Sequence, residues 1–389
     1  MFDRILSQKV QQLYTQYPIV AILGPRQSGK TTLGKKAFSY LPYENLEDLS
    51  IRQFATEDPK QFLAQYPKGV FLDEIQYVPS LFSYLQVLVD EKDIPGQYVI
   101  TGSQQFLLNE KITQSLAGRV AITTLLPLSY GEIERNSIGK SYIYDYLLNG
   151  GYPRVWRYQL NPTEFYANYV QTYVEKDVRT ILNVVNLSLF QKFMQLCAGR
   201  AGQLLNVSSL ANDCGITVVT ARQWLSLLEA SFVLYLLKPY HSHVNKRVIK
   251  SPKLYFYDTG VLCYLLGIQN TKDLQLHYAA GSIFENFILM ESMKHKTNVG
   301  RLASMFFLRD QHGHEVDIVF DKQPFPLPLE VKLGQTIQSE FYKNIQYWQD
   351  LNQFEKGIVV YGGAIRQKRE RVDIVGWQEY CLNIDQVLE

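Results

Sequence analysis

The stretch PIVAILGPRQSGKTT, residues 18–32, decides how the first third of this chain folds. The apolar run from Pro18 to Leu23 reads as a buried strand, Gly24 to Gly29 as a tight loop, and Lys30 to about Ser39 as a helix. Strand, glycine loop and helix form the context in which G-x-x-x-x-G-K-[ST] is a phosphate-binding loop. Gly24, Pro25, Arg26, Gln27, Ser28, Gly29, Lys30, Thr31 and Thr32 are therefore expected to cradle ATP. The glycines let backbone N–H groups wrap the phosphates, and the helix N-terminus adds its partial positive charge. Lys30 is expected to reach the β- and γ-phosphates, and Thr31 to hold Mg²⁺.

Outward from the loop, VFLDE at residues 70–74 is an apolar run ending in two carboxylates. Asp73 is expected to hold Mg²⁺ through water and Glu74 to polarise the attacking water. QYVITGS, residues 97–103, reads as a further strand ending in small polar residues. If that strand lies between the first two in the sheet, Thr101 or Ser103 can sense the γ-phosphate. SLAGR, residues 115–119, precedes a strand-like run from Val120 to Leu126. Arg119 there resembles the arginine finger of AAA+ ATPases, which serves a neighbouring subunit's nucleotide and so implies a homo-oligomer. It suits a surface arginine at a helix C-terminus equally well.

Residues 127–188 are aromatic-rich and helical in pattern, with GGYPR at 150–154 and YVEKDVR at 173–179, and read as a helical lid on the ATPase core. In the next segment, 189–256, LLNVSSLANDCGI (204–216) and TVVTARQWLSLLE (217–229) read as helix, glycine turn, helix. Val219, Leu225 and Leu228 are expected to face the core, leaving Thr220, Arg222 and Gln223 exposed as on a recognition helix. Lys238, Lys246, Arg247, Lys250 and Lys253 then follow with no acid between 238 and 253. That pattern fits a winged helix whose wing contacts phosphates, with DNA the favoured nucleic acid. Such modules also dock proteins.

In the last segment, 257–389, FEN at 284–286 falls in a helical stretch, and FFLRDQHGHEVDIVF (306–320) alternates like a hairpin around Gly313, placing Asp317 on a strand. In PLEVK, residues 328–332, Glu330 and Lys332 share one strand face because side chains repeat every two residues. Asp317 and Glu330 with Lys332 can hold a divalent metal and position a hydroxide against a phosphodiester, and Glu285 can add a carboxylate. The spacing resembles the PD-(D/E)xK nuclease core, with QSEFY (338–342) in the following helix matching the QxxxY pattern of some members. The resemblance implies the fold, whereas activity stays open because such domains often persist as binding folds.

As a set, these motifs, together with FLDEIQ (71–76), GGYP (150–153) and SPKLYFYDTG (251–260), resemble the bacterial and archaeal AAA ATPases (AAA_14-type) that carry the domain of unknown function 4143. The resemblance implies an α/β chain. Its expected order is a P-loop AAA-type parallel sheet (1–126), a helical lid (127–188), a winged helix-turn-helix (189–256) and a PD-(D/E)xK nuclease-like α/β domain (257–389). The family has no settled substrate.

Composition bounds these readings. With 389 residues, 46% hydrophobic and 13% aromatic, the chain can fill several cores, which excludes a disordered or fibrous protein. The net charge of +2 averages unlike parts: residues 126–253 hold 14 basic and 8 acidic residues, and 254–389 hold 13 and 17. An acidic last segment is a poor unaided binder of phosphate backbones. The N-terminus MFDR lacks a signal-peptide core, no run reaches the roughly 18 apolar residues of a membrane span, and the four cysteines are scattered. A cytoplasmic protein with reduced thiols and no membrane partner is expected. Two functions remain: an oligomeric ATPase acting on nucleic acid, with a metal-dependent nuclease domain as an option, or a nucleotide-dependent switch that docks DNA or protein without cleavage.

Overall fold

The computed structural model describes residues 2–92, 94–103, 115–136, 142–174, 187–240, 250–301, 304–322, 325–352 and 354–389. The chain divides into two compact units. One comprises Met1–Leu128, Ala230–Phe232 and Lys296–Leu302, and the other Ser129–Glu229, Val233–His295 and Ala303–Glu389.

The first unit is built on five parallel strands, β1 (Ile19–Leu23), β2 (Tyr43–Asn45), β3 (Val70–Asp73), β4 (Tyr98–Gly102) and β5 (Val120–Thr124), in the order β2-β3-β4-β1-β5. β4 lies between β1 and β3, as expected for a strand that sets polar residues beside the phosphate loop. β1, β3 and β4 are buried throughout because both faces are covered. Ile19, Ala21 and Leu23 join Val70, Leu72 and Ile100 against the helices Leu49–Glu57, Pro59–Ala64 and Leu81–Lys92. The alternate residues Val20, Ile22, Phe71 and Val99 pack instead on the helices Leu6–Tyr14 and Lys30–Ala37. The site therefore falls at the carboxyl ends of the strands, where open parallel sheets bind ligands.

In the second unit, helices Leu187–Ala198, Val207–Cys214 and Val218–Ala230 precede an antiparallel ribbon of β6 (Leu234–Leu237) and β7 (Lys253–Phe256). A six-stranded mixed sheet follows, formed by β8 (Met305–Arg309), β9 (Glu315–Phe320), β10 (Leu327–Lys332), β11 (Gly357–Tyr361), β12 (Gln367–Arg369) and β13 (Val372–Gly376). Its order is β12-β13-β11-β10-β9-β8. β8 and β9 form the expected antiparallel pair around Gly313 (φ 91°). Tyr240 N–H donates to the Phe307 carbonyl (2.7 Å) and Phe307 N–H to the Lys238 carbonyl (3.1 Å), so the ribbon's continuation is tied to the β8 edge.

The helices read as a lid, Tyr130–Arg135, Ile143–Asn149, Pro153–Tyr158 and Pro162–Tyr169, belong to this second unit. Tyr130 N–H donates to Glu291 Oε2 (2.8 Å), and the Tyr130 and Trp377 rings stand 5.0 Å apart. The GGYP and YDTG motifs meet here. Gly150 has φ 61°, and a Cβ there would lie 2.2 Å from both Asp258 Oδ1 and the Tyr166 hydroxyl, so only glycine fits. The YVEKDVR signature lies largely outside the described residues. Two further expectations fail. Val219 is 66% exposed, since Trp224, Leu225 and Leu228 set the core face and Val219 points away from them. Gln338 stands in extended backbone before a single 3₁₀ turn, Ser339–Phe341, and the helix begins only at Lys343.

Candidate functional site

Gly24 leaves β1 with φ 147°, and a Cβ there would lie 2.2 Å from the Leu125 carbonyl oxygen, so the loop passes the end of β5 only as glycine. Gln27 (φ 62°) and Gly29 (φ 97°) are left-handed too, giving the mixed backbone from which anion-binding nests are made. Among the described residues, the buried Ser28 Oγ has no hydrogen-bond partner. Lys30, also buried, donates to the carbonyls of Gly24 (3.0 Å) and Pro25 (2.9 Å). Arg26 is half-buried and Thr32 exposed.

Thr31 Oγ1 donates to Asp73 Oδ2 at 2.8 Å, which brings together the two residues expected at Mg²⁺. A hydroxyl and a carboxylate are hard oxygen donors, so this pair fits Mg²⁺. Asp73 also accepts from Thr101 Oγ1 and, at 2.9 Å, from the Tyr43 hydroxyl. Burial, then the Asp73 charge, pushes the Tyr43 hydroxyl well above the ordinary tyrosine range and keeps it a donor. Glu74 sits just past β3 with φ 57°, and its N–H donates to Thr101 Oγ1 (3.0 Å). Its Oε2 accepts from Ser103 Oγ (3.0 Å) and from the Gln76 amide. Thr101 and Ser103 are thus in contact with the acid pair. Arg119 is engaged in its own unit, its guanidinium gripping both carboxylate oxygens of the exposed Asp90.

Arg4 was missed at the sequence level. Its guanidinium donates to the Ser28 carbonyl (2.7 Å) and the Leu126 carbonyl (2.6 Å), fastening the phosphate loop to the chain after β5. Arg4→Ala is expected to raise the KM for ATP about tenfold with a smaller change in kcat, because the loop loses its positioning brace. An unchanged KM in steady-state phosphate release would remove Arg4 from the site.

A second cluster lies in the C-terminal sheet. Glu330 Oε1 accepts from Lys332 Nζ at 2.6 Å, and Asp317 Oδ2 accepts from Val331 N–H at 2.8 Å, with Lys332 4.0 Å away. The strands bring together the three residues expected there. Lys253, read as a phosphate-contacting wing residue, is instead buried. Its Nζ lies 2.8 Å from Glu285 Oε1, 2.7 Å from Glu315 Oε1 and 3.9 Å from Asp317 Oδ1. Glu285 also accepts from the Tyr255 hydroxyl, and the second Glu315 oxygen pairs with Arg309 at 2.8 Å. Asn286 holds β7 in place, its amide exchanging hydrogen bonds with the Phe256 N–H (2.7 Å) and carbonyl (2.8 Å).

Burial, then the charges of Glu330 and Glu285, pushes the Asp317 carboxyl well above the usual range. Burial pulls the Lys253 ammonium down, but Glu285, Asp317 and Glu315 outweigh it and hold it well above the ordinary lysine value. Because the folded pKa of Asp317 is raised, its contribution to stability is complete below the ordinary carboxylate value and lost as pH rises through the folded value. Asp317→Asn is therefore expected to gain stability relative to the wild type between pH 5 and pH 8. Urea midpoints at the two pH values test this, and a constant gap would contradict it.

Residues 16–134 match the family model of an AAA domain, and residues 280–380 match that of the domain of unknown function DUF4143. The chain is an AAA-type P-loop protein that carries DUF4143. Between the two, residues 140–272 match a further domain of unknown function, DUF8612. An uncharacterized protein of Mycobacterium tuberculosis is 28% identical over 339 residues, 86% of this chain and 74% of that one. One from Methanocaldococcus jannaschii is 22% identical over 320 residues, 74% of this chain and 69% of its own. Among solved structures, the Walker-type ATPase of Pyrococcus abyssi is similar with a TM-score of 0.48 at 14% identity, over 68% of this chain and 96% of that one. AMPPCP-bound DnaA from Aquifex aeolicus is similar with a TM-score of 0.32 at 14% identity, over 57% of this chain and 86% of its own.

In this AAA–DUF4143 protein, the residues expected to meet nucleic acid divide three ways. Arg222 and Gln223 are exposed on the helix Val218–Ala230, and Val219 shares their open side. Thr220 is half-buried, with its hydroxyl 2.8 Å from that of Thr217. Lys250 is exposed, while Lys246 and Arg247 lie outside the described residues. No described helix is long and apolar enough to cross a membrane.

Proposed function

We propose that this AAA–DUF4143 protein is an ATP-hydrolysing, nucleotide-dependent switch that engages nucleic acid, duplex DNA above all, without cutting it at its C-terminal cluster. The observation that carries the hydrolytic part is the 2.8 Å contact of Thr31 with Asp73, with Glu74 held beside them by Ser103. Thr31 and Asp73 would hold Mg²⁺, which would neutralise charge on the phosphate oxygens. Lys30 exchanges its loop carbonyls for phosphate oxygens. Glu74 orients the attacking water and draws its proton, and Ser103, bonded to Glu74, couples that carboxylate to the γ-phosphate end of the nucleotide. Arg119 serves a neighbouring copy's nucleotide only after leaving Asp90, so assembly into a homo-oligomer competes with that ion pair.

The helix–turn–helix and its ribbon act as a winged helix, reading DNA with Arg222, Gln223 and Val219 and gripping phosphates with Lys250, Lys246 and Arg247. Arg222→Glu is expected to weaken duplex DNA binding at least about tenfold in fluorescence anisotropy at fixed salt. Wild-type affinity in that variant would move the contact elsewhere. The C-terminal cluster does not cut, because Glu285, one of the three carboxylates expected at a metal, is already engaged by Lys253 and Tyr255.

A further inference from the structure

The helix Ala280–Asn298 brings Glu285, and the DUF4143 sheet brings Glu315, Asp317 and Glu330, around one region, which as an acid cluster alone would invite a divalent metal. Two observations decide otherwise. The Lys253 ammonium, its side chain 1% exposed, already stands 2.7–2.8 Å from Glu315 and Glu285 and 3.9 Å from Asp317. It approaches from β7, whose backbone Asn286 clamps on both its N–H and carbonyl sides, so the lysine is held from outside the sheet. Among the described residues, no group of three or more His, Cys, Asp or Glu is placed to hold a metal ion. Among the described residues, buried Glu330 Oε2 has no hydrogen-bond partner, so the oxygens for a cation exist while the space between three of the carboxylates is taken.

We infer that Lys253 is the resident cation of this site: its ammonium replaces the divalent metal that the nuclease-like core would otherwise bind, and the site opens to metal only when that ammonium is removed. The charges support this. Four carboxylates face Lys253, Lys332 and Arg309, so the cluster is nearly balanced without a metal. An added dication would meet a buried ammonium a few ångströms away, a repulsion that low-dielectric surroundings amplify. Lys253 thereby turns a potential hydrolytic centre into a fixed ion-pair anchor between β7, the helix Ala280–Asn298 and the sheet. The inference deepens the non-cleaving reading above.

The test is Mn²⁺ binding to the nucleotide-free full-length protein, followed by isothermal titration and by electron paramagnetic resonance of free Mn²⁺. The wild type should take up no Mn²⁺ that depends on Asp317 and Glu330. K253M should gain one Mn²⁺ per chain, bound at least on the order of tenfold more tightly than any wild-type uptake. That gain should vanish in K253M/D317N. Since K253M leaves buried carboxylates short of a counter-charge, the balanced variant K253M/E315Q is tested beside it, keeping Glu285, Asp317 and Glu330. Wild-type uptake that is lost on D317N or E330Q overturns the inference, as do folded Lys253 variants that gain no Mn²⁺. ATP turnover and DNA binding, on which the proposed function stands or falls, do not enter this measurement.

Discussion

Replacing Lys30 by alanine is expected to slow ATP hydrolysis by roughly three orders of magnitude. Phosphoryl transfer asks little covalent chemistry of the protein, so nearly all catalysis comes from positioned charge. Lys30 sets its ammonium against the loop itself. It is buried, rooted at the start of the Lys30–Ala37 helix, and turned back onto the Gly24 and Pro25 carbonyls, which phosphate oxygens would replace as partners. Arginine should not rescue it, because a planar guanidinium does not reproduce a compact ammonium inside a loop this tight. Glu74→Gln should slow turnover comparably while ATP still binds, since the phosphate contacts come from the loop and not from Glu74. Phosphate release at saturating ATP measures both variants. A Lys30→Ala protein that turns over ATP at the wild-type rate would place the activity outside this loop.

Asp258→Ala is expected to destabilise the second unit by about 3–5 kcal/mol. Asp258 Oδ1 caps the helix Thr259–Leu265 by accepting from Gly260 N–H (2.9 Å) and Val261 N–H (3.2 Å). Its Oδ2 accepts from Gly151 N–H at 2.7 Å, joining segments more than 100 residues apart. Alanine would strand three buried N–H donors, two of them the cap of the helix, and stranding a buried donor costs roughly 1–3 kcal/mol. Asparagine keeps one acceptor and should cost less. Urea unfolding followed by tryptophan fluorescence reads the difference, because all four tryptophans, at 156, 224, 348 and 377, lie in this unit. A shift below about 1 kcal/mol would mean that the two motifs meet without depending on this carboxylate.

What could be read from the amino-acid sequence was what local spacing encodes. A strand, a glycine loop and a helix adjoin in sequence, so their joint geometry follows from the residues alone, whereas the place of β4 between β1 and β3 enters there only as the condition on which Thr101 or Ser103 senses the γ-phosphate. Asp317, Glu330 and Lys332 were legible for a similar reason: neighbouring strands with a two-residue period put them together. Lys253 was not. An acid-free basic run looks solvated, and the partners that bury this lysine, Glu285 and Glu315, come 32 and 62 positions later in the chain. Arg4 was hidden likewise, since its acceptors are backbone carbonyls, which carry no sequence signature. Val219 was misplaced by helical phase: Trp224, five residues on, lies about 140° around the helix at 100° per residue. An apolar residue was given to the core when its face was already fixed by larger neighbours.

The steady-state ATPase rate with and without single-stranded DNA, duplex DNA and RNA tests the account most directly. A nucleotide-dependent switch that engages duplex DNA through Arg222 predicts a severalfold stimulation by duplex DNA in the wild type and none in Arg222→Glu. Equal rates in all four conditions would contradict it.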